Sequence, residues 1–276
     1  DPSTIKNYTI DPSYGGGQYL AGRQSGSFLG TITSRADKPV ILARPTNPYF
    51  MTNTAYQTFA RNNAKRQPLV LFTANDGFLY AVSAGSTSSP GTLQWGWMPS
   101  TLLGQLKNYT NFQSSNPMNG GLTTVDSANA EGNWASYVVG TGQSGALHYA
   151  LRLSGCASPT SACTPGISEV FLDNQSGASS TPTTAPQAPA IWWDANGVAY
   201  AYYFTIVGST AYLNSMRLYD GQVKKTTLPF TPSSTVNIDV LGGKLYAGDT
   251  QGNVWSFDLT AGPSANMLTP TLVGQV

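Results

Sequence analysis

His148 is the only histidine of the chain, and it follows closely on Gly140-Thr141-Gly142-Gln143-Ser144-Gly145. These are the first places to look for chemistry. A Ser–His–acid site would need His148 as its base. It lies between Leu147 and Tyr149 in an alternating stretch, and Gly142-Gln143-Ser144-Gly145-Ala146 lacks the last glycine of a nucleophile elbow. His148 is therefore expected to be a sheet residue. The glycine run is literally G-x-G-x-x-G, a pattern that offers backbone N–H groups to a pyrophosphate at a helix start. The sequence after it, ALHYALRLSGC, alternates at period two and soon reaches Ser154-Gly155. A hairpin turn is expected there, not a cofactor loop. Acid pairs for glycoside chemistry form in space, and only 13 Asp and Glu are available. No catalytic residue is assigned, and the chain is expected to be non-enzymatic.

Metal chemistry has equally thin support. Asp194-Ala195-Asn196-Gly197 looks like the first half of an oxygen-ligand loop, with Val198 where a further ligand would be needed. VNIDVLGGKLYAGD carries Asn237, Asp239 and Asp249. Calcium takes about six to eight oxygens, usually with several carboxylates. Turn formation is the expected role of these residues. Calcium is kept as a secondary option at Asp194, Asn196, Asn237 and Asp239, and no cofactor is expected. Cys156 and Cys163, in GCASPTSACTPG, are the only cysteines. With one histidine they make a poor zinc site, since about four ligands are needed. They are expected to close a local disulfide contributing about 2–3 kcal/mol at most, which implies an oxidising compartment. Two free thiols in a mobile loop are the alternative.

The surrounding elements would have to position any site. LFTANDGFLYAV, Leu71 to Val82, places Asn75-Asp76-Gly77 between two apolar runs, as in a β-hairpin. The pattern of strand, glycine turn and strand returns at Trp134–Leu153, Val198–Gly221 and Gly243–Leu259. Four copies indicate a repeat architecture. Near-continuous apolar strands imply sheets covered on both faces. We expect an all-β fold, an irregular (modified) β-propeller with quinoprotein-like blades, two short helices and long inserted loops. Asn75, Asp76, Gly77, Asp249 and Gly252 serve as its structural turn residues. One helix is expected at Asn53–Gln67, with Tyr56, Phe59, Ala60 and Asn63 on one face, and a second at Pro99–Asn111. Residues 1–25 read as an irregular arm, residues 26–276 as the propeller, and residues 176–190 as a low-complexity loop.

The chain has 276 residues, enough for a full core without a metal. Charged residues make up only 10%, and the net charge is +1, which argues against nucleic-acid binding. No apolar run approaches the roughly 18 residues of a membrane span, so no membrane insertion is expected. Low charge with 15 Tyr and 6 Trp suggests an extracellular β protein. If the protein is exported, the chain is expected to begin after processing or inside a longer protein, and the end at Leu272–Val276 suggests a fragment boundary.

AYQTFARNNAKRQPLVLFTANDGFLYAV resembles the start of the C-terminal region of the PilY/PilC-type type IV pilus factors: a Tyr-x-x-Phe helix, an Arg before a strand and an Ala-Asn-Asp-Gly turn. LQWGWMPSTLLGQL, NWASYVVGTGQSGALHYALRL and KLYAGDTQGNVWSFDL resemble later segments of that region. The likeness runs from about Phe28 to Leu153 and again over Gly243–Leu259. It implies an irregular propeller at the cell surface or pilus tip of a bacterium. It also implies roles in pilus assembly, retraction control and adhesion to host or abiotic surfaces, with minor pilins or a pilus tip complex as partners. Tyr80 stands where the family often has His. Thr235 and Gly243 stand where its calcium loop would have Asp. Two rival readings are a quinoprotein-like propeller enzyme or assembly scaffold, and a carbohydrate-binding propeller.

Overall fold

The structure, a computed structural model, describes residues 39–85, 90–108, 117–174, 178–179, 187–232, 238–260, 262–263 and 268–275. The expected N-terminal arm therefore lies outside the described residues, as does Asn237.

Four antiparallel sheets follow one another along the chain, each with its four main strands in sequence order. Blade 1 is β1 (Val40–Leu42), β2 (Leu69–Thr73), β3 (Leu79–Ser83) and β4 (Leu93–Trp97). Blade 2 is β5 (Leu122–Ala128), β6 (Trp134–Gly142), β7 (Leu147–Leu153) and β8 (Ile167–Asn174). Blade 3 is β10 (Ala190–Trp193), β11 (Ala199–Val207), β12 (Thr210–Arg217) and β13 (Val223–Thr227), with the short β9 (Ala178–Ser179) added alongside β11. Blade 4 is β14 (Asp239–Leu241), β15 (Lys244–Gly248), β16 (Asn253–Asp258) and β17 (Thr271–Gln275). All four glycine-turn hairpins read from the sequence are present. Three join the second and third strands of their blades directly, and the Trp134–Leu153 hairpin joins β6 to β7 through a tight turn.

The blades stack in chain order because strand alternation sends successive side chains to opposite faces. Leu69, Leu71 and Leu79 of blade 1 pack on Val138, Leu147 and Leu151 of blade 2. The other face of blade 2, with Tyr137, Val139 and Ala150, packs on Ala199, Ala201 and Tyr203 of blade 3. Tyr202 and Leu213 then meet Leu245 and Phe257 of blade 4. Close approaches between sheets include β1 with β5 and β10 with β14, so first strands lie toward a common side. This is a propeller-like, all-β arrangement.

Coverage of both faces holds for blade 2, where β6 is buried at every position but its first. It holds only in part for the hairpin at Leu71–Val82. In β2, Leu69, Leu71 and Thr73 are buried, whereas Val70 and Phe72 are half-buried. Among the described residues blade 1 has another blade on one side only.

The first helix, α1 (Thr54–Asn62), starts where Asn53 Oδ1 accepts the Tyr56 N–H at 2.9 Å. It ends at Asn62, short of Gln67. The second expected helix is instead a 3-10 run over Ser100–Asn108, with Leu102 buried and Leu103 54% exposed. Gly104 in its middle weakens an α-helix by about 1 kcal/mol. Of the segment at 176–190, residues 178–179 and 187–190 are described. The segment supplies β9, its Gln187 carbonyl accepts from Thr141 Oγ1 at 3.2 Å, and Ala190 opens β10.

Candidate functional site

One five-residue turn recurs at four hairpins. The first residue's N–H donates to the fifth residue's carbonyl, at 2.9 Å in each of Ala74–Phe78, Asn129–Asn133, Asp194–Val198 and Asp249–Asn253. The fourth residue is Gly77, Gly132, Gly197 or Gly252, with φ of +84°, +80°, +82° and +84°. In three turns the first side chain caps the loop. Oδ1 of Asn129, Asp194 and Asp249 each accepts the N–H groups two and four residues on. The oxygen proposed for calcium at Asp194 thus has a turn role, with Asn196 supplying one of its donors. Asp239 Oδ1 likewise accepts from the Val240 N–H at 2.8 Å.

The first turn solves the same problem differently. Ala74 cannot cap, so Asp76 in the third place accepts from Phe78 N–H at 3.1 Å and from the Tyr80 hydroxyl at 2.5 Å, fully buried. Tyr80 is thereby the partner of the turn carboxylate. At Asp249, burial works to raise the pKa, but donors from Trp255 Nε1, the Asn253 amide and the backbone outweigh it and hold the carboxyl at about 2. Gly77→Val should cost about 2 kcal/mol, because a β-branched residue is strained at φ +84°. Asp76→Asn should cost about 1 kcal/mol or less, since the amide oxygen keeps the Phe78 bond and Tyr80 can turn to accept. Denaturant unfolding of both variants checks the order, and a larger loss from Asp76→Asn would refute it.

The expected disulfide is present, joining Cys156 to Cys163 with a Cα–Cα distance of 5.5 Å. Its loop and the residue two places after it are pinned to the chain entering β2 and to β4 of blade 1. Cys163 O accepts from Gln67 N at 2.8 Å, Asn63 Oδ1 accepts from Cys156 N at 3.0 Å, and Pro165 O accepts from Trp95 Nε1 at 2.8 Å. Cys156→Ala/Cys163→Ala should lower stability by about 2 kcal/mol through the less constrained unfolded chain. An unchanged urea midpoint would show that the staple is idle.

The G-x-G-x-x-G run is the β6–β7 connection, as expected. Its backbone donors are engaged within the protein: Gln143 N–H with Pro117 O at 2.7 Å and Ser144 N–H with Asn119 Oδ1 at 3.0 Å. Gly140 has a packing role, since a Cβ there would run into the Tyr149 hydroxyl and lie 2.7 Å from Leu122 Cδ2. His148 sits on β7, 2% exposed, its ring stacked on Tyr203 of blade 3 at 3.6 Å. Its Nε2–H donates to Gly145 O at 2.8 Å, leaving Nδ1 with no partner among the described residues.

The most concentrated polar arrangement was not singled out from sequence. Asp126 on β5 accepts from the Tyr56 hydroxyl at 2.9 Å and from Ser136 Oγ at 2.6 Å. Ser136 Oγ in turn accepts from Arg66 Nη1 at 2.6 Å, and Arg66 Nη2 donates to Ala43 O. The Tyr56 oxygen also accepts the Asn47 N–H at 2.6 Å, and Asp126 O accepts from Trp193 Nε1 at 2.7 Å. Helix α1, the entry to blade 1, blade 2 and blade 3 thus meet around one residue, Asp126: Tyr56 and Ser136 bond its carboxylate, Arg66 reaches it through Ser136, and Trp193 bonds its backbone carbonyl. Burial lowers the Arg66 pKa, with Asp126 and Tyr56 opposing. Burial raises that of Asp126, against the bonds from Ser136 and Tyr56 and the charge of Arg66. The Tyr56 phenol is pushed well above its ordinary value, by burial first and the Asp126 charge second.

Arg66 and Asp126 of the cluster line a cleft of about 330 Å³ beside first strands β1, β5 and β10, with Ile41, Tyr49 and Trp193 among its other walls. Tyr49, 68% exposed, lies 5.9 Å from Trp192 and 6.0 Å from Trp193. Chemically this is a charge-assisted clamp between blades, with an aromatic rim. Two of its members were visible in sequence as the Tyr of Tyr-x-x-Phe and the Arg before a strand. The remaining signal was an acid, Asp126, inside the strand segment LTTVDSA.

Turning to known proteins, no protein-family model matches the chain. It is similar to the Dos1 propeller at 11% identity and TM-score 0.36, over 75% of this chain and 45% of that one. The fold assignment rests on the sheets themselves. It is also similar to the type IV pilus biogenesis factor PilY1 homolog of Xylella fastidiosa, 25% identical over 249 residues. That likeness covers 83% of this chain, which spans only 19% of the relative's length.

Proposed function

We infer that the chain is a non-enzymatic, propeller-like domain of a type IV pilus-associated protein. It acts outside the cytoplasm, at the cell surface or pilus tip. There it takes part in pilus assembly and retraction control and in adhesion to surfaces or host cells, with minor pilins or the tip complex as partners. The observation that carries this reading is the similarity to the pilus biogenesis factor across 83% of the chain. Two structural features support it. The disulfide suits an oxidising compartment. The only imidazole is buried in an interface between blades, where it packs against Tyr203.

Deleting residues 39–275 from the full-length protein in its host tests the reading. Surface piliation, twitching and adhesion should fall while the rest of the protein is still exported. Unchanged piliation, twitching and adhesion would overturn it.

A further inference from the structure

A second cavity, of about 450 Å³, lies beside α1 and blade 2, its Trp134 wall packing at 4.8 Å on the Tyr56 ring of the Asp126 clamp. Its walls come from α1 (Phe59, Asn62), the start of β6 (Trp134), the end of β7 (Arg152), the disulfide loop, and β8 (Glu169). The walls are tied together before any ligand arrives, since Asn63 Oδ1 holds the Cys156 N–H at 3.0 Å and the disulfide closes the loop. Such pre-formed concavity is what small-ligand sites share.

The lining is charge-balanced yet rich in unused hydrogen-bonding capacity. Arg152 Nη1 bonds Glu169 Oε2 at 2.8 Å, with side chains 35% and 46% exposed. Among the described residues, Arg152 Nη2, Glu169 Oε1, the Asn62 amide and the Trp134 indole N–H make no hydrogen bond within the protein. Donors and acceptors therefore stand side by side next to two aromatic rings. A simple anion would meet Glu169, and a simple cation would meet Arg152. An apolar ligand would strand the amide and the indole N–H. A polyhydroxylated ring suits all of them: each hydroxyl donates and accepts, and its C–H face packs on an aromatic ring.

We propose that this cavity binds a neutral pyranose unit of a glycan, with Arg152, Glu169 and Asn62 bonding its hydroxyls and Phe59 and Trp134 packing on its apolar face. The inference stands apart from the pilus reading, since sugar binding and piliation can each fail alone.

The test is saturation-transfer NMR of the 276-residue chain with methyl glucoside, methyl galactoside, methyl mannoside and N-acetylglucosamine. At least one should receive saturation from the protein. Asn62→Ala and Glu169→Ala, both at the cavity wall, should each weaken that binding about tenfold, the loss of one good hydrogen bond. Their melting temperatures should match the parent's. Transfer to none of the four sugars would overturn the proposal, as would binding that both variants leave intact. Displacement of the bound sugar by an acidic or basic peptide but not by a second sugar would also overturn it.

Discussion

Acidification from pH 6.5 to about 4 should cost the fold about 3 kcal/mol through His148 alone. Burial between blades 2 and 3 lowers its pKa to about 4, and the Asp173 charge and the Gly145 carbonyl only partly oppose it. The geometry explains the direction. Nε2–H already serves Gly145 O, so a second proton would sit on Nδ1, which is buried without an acceptor among the described residues. The sign follows. The folded state keeps the ring neutral, while the unfolded chain takes up a proton near pH 6.5. The stabilisation is complete above that pH, is lost as pH falls toward 4, and changes no further below it. The carboxylates titrate in part of this window, so the comparison is with His148→Phe. That variant loses the bond to Gly145, about 1 kcal/mol, but its stability should not fall on this account between pH 6.5 and 4. Urea unfolding across the range, with one histidine to follow by NMR, measures both. Equal slopes for parent and variant would show that His148 titrates normally.

Asp126→Asn should destabilise the protein by about 3 kcal/mol. The substitution keeps the shape and leaves an acceptor for Ser136, but it removes the carboxylate nearest Arg66, which is only 6% exposed. A buried guanidinium without its counter-charge is the costly state, and the pair itself adds less. The low end of the range applies because Asp126 keeps some contact with solvent. Arg66→Met in the same chain should restore part of the loss, so the double-mutant cycle should give a coupling of about 1–3 kcal/mol. If the two losses simply add, the Ser136 bridge does not transmit charge and the clamp is a set of independent bonds.

Much of the blade pattern was legible in the chain. Asn75-Asp76-Gly77 and Thr250-Gln251-Gly252 mark their turns because a hairpin's chemistry sits in adjacent residues: a glycine for positive φ and a short polar side chain for the free N–H groups. The same rule applies to Asp194-Ala195-Asn196-Gly197, whose oxygen pattern suggested calcium as well as a turn, and to Asn129–Asn133, which carried no flag of its own. The cysteine pair was readable because both ends lie in one loop. The 3-10 course of Ser100–Asn108 was not, because the leucine spacing that suggests an α-helix suits the tighter turn nearly as well over so few residues.

The sequence by itself determined the central hairpin strands of each blade, the turn glycines and the disulfide, because each depends on neighbours within about ten residues. Only the tertiary structure decided what the charged groups do. Arg66 and Ser136 are 70 residues apart, as are Tyr56 and Asp126, and they meet because blade 1 and α1 are laid against blade 2. His148 becomes a buried neutral base because blade 3 lays Tyr203 over it. Stacking follows from apolar area, which is non-directional and marks many positions alike. The polar partners it brings together are therefore set by register and blade order, which no local pattern of residues records.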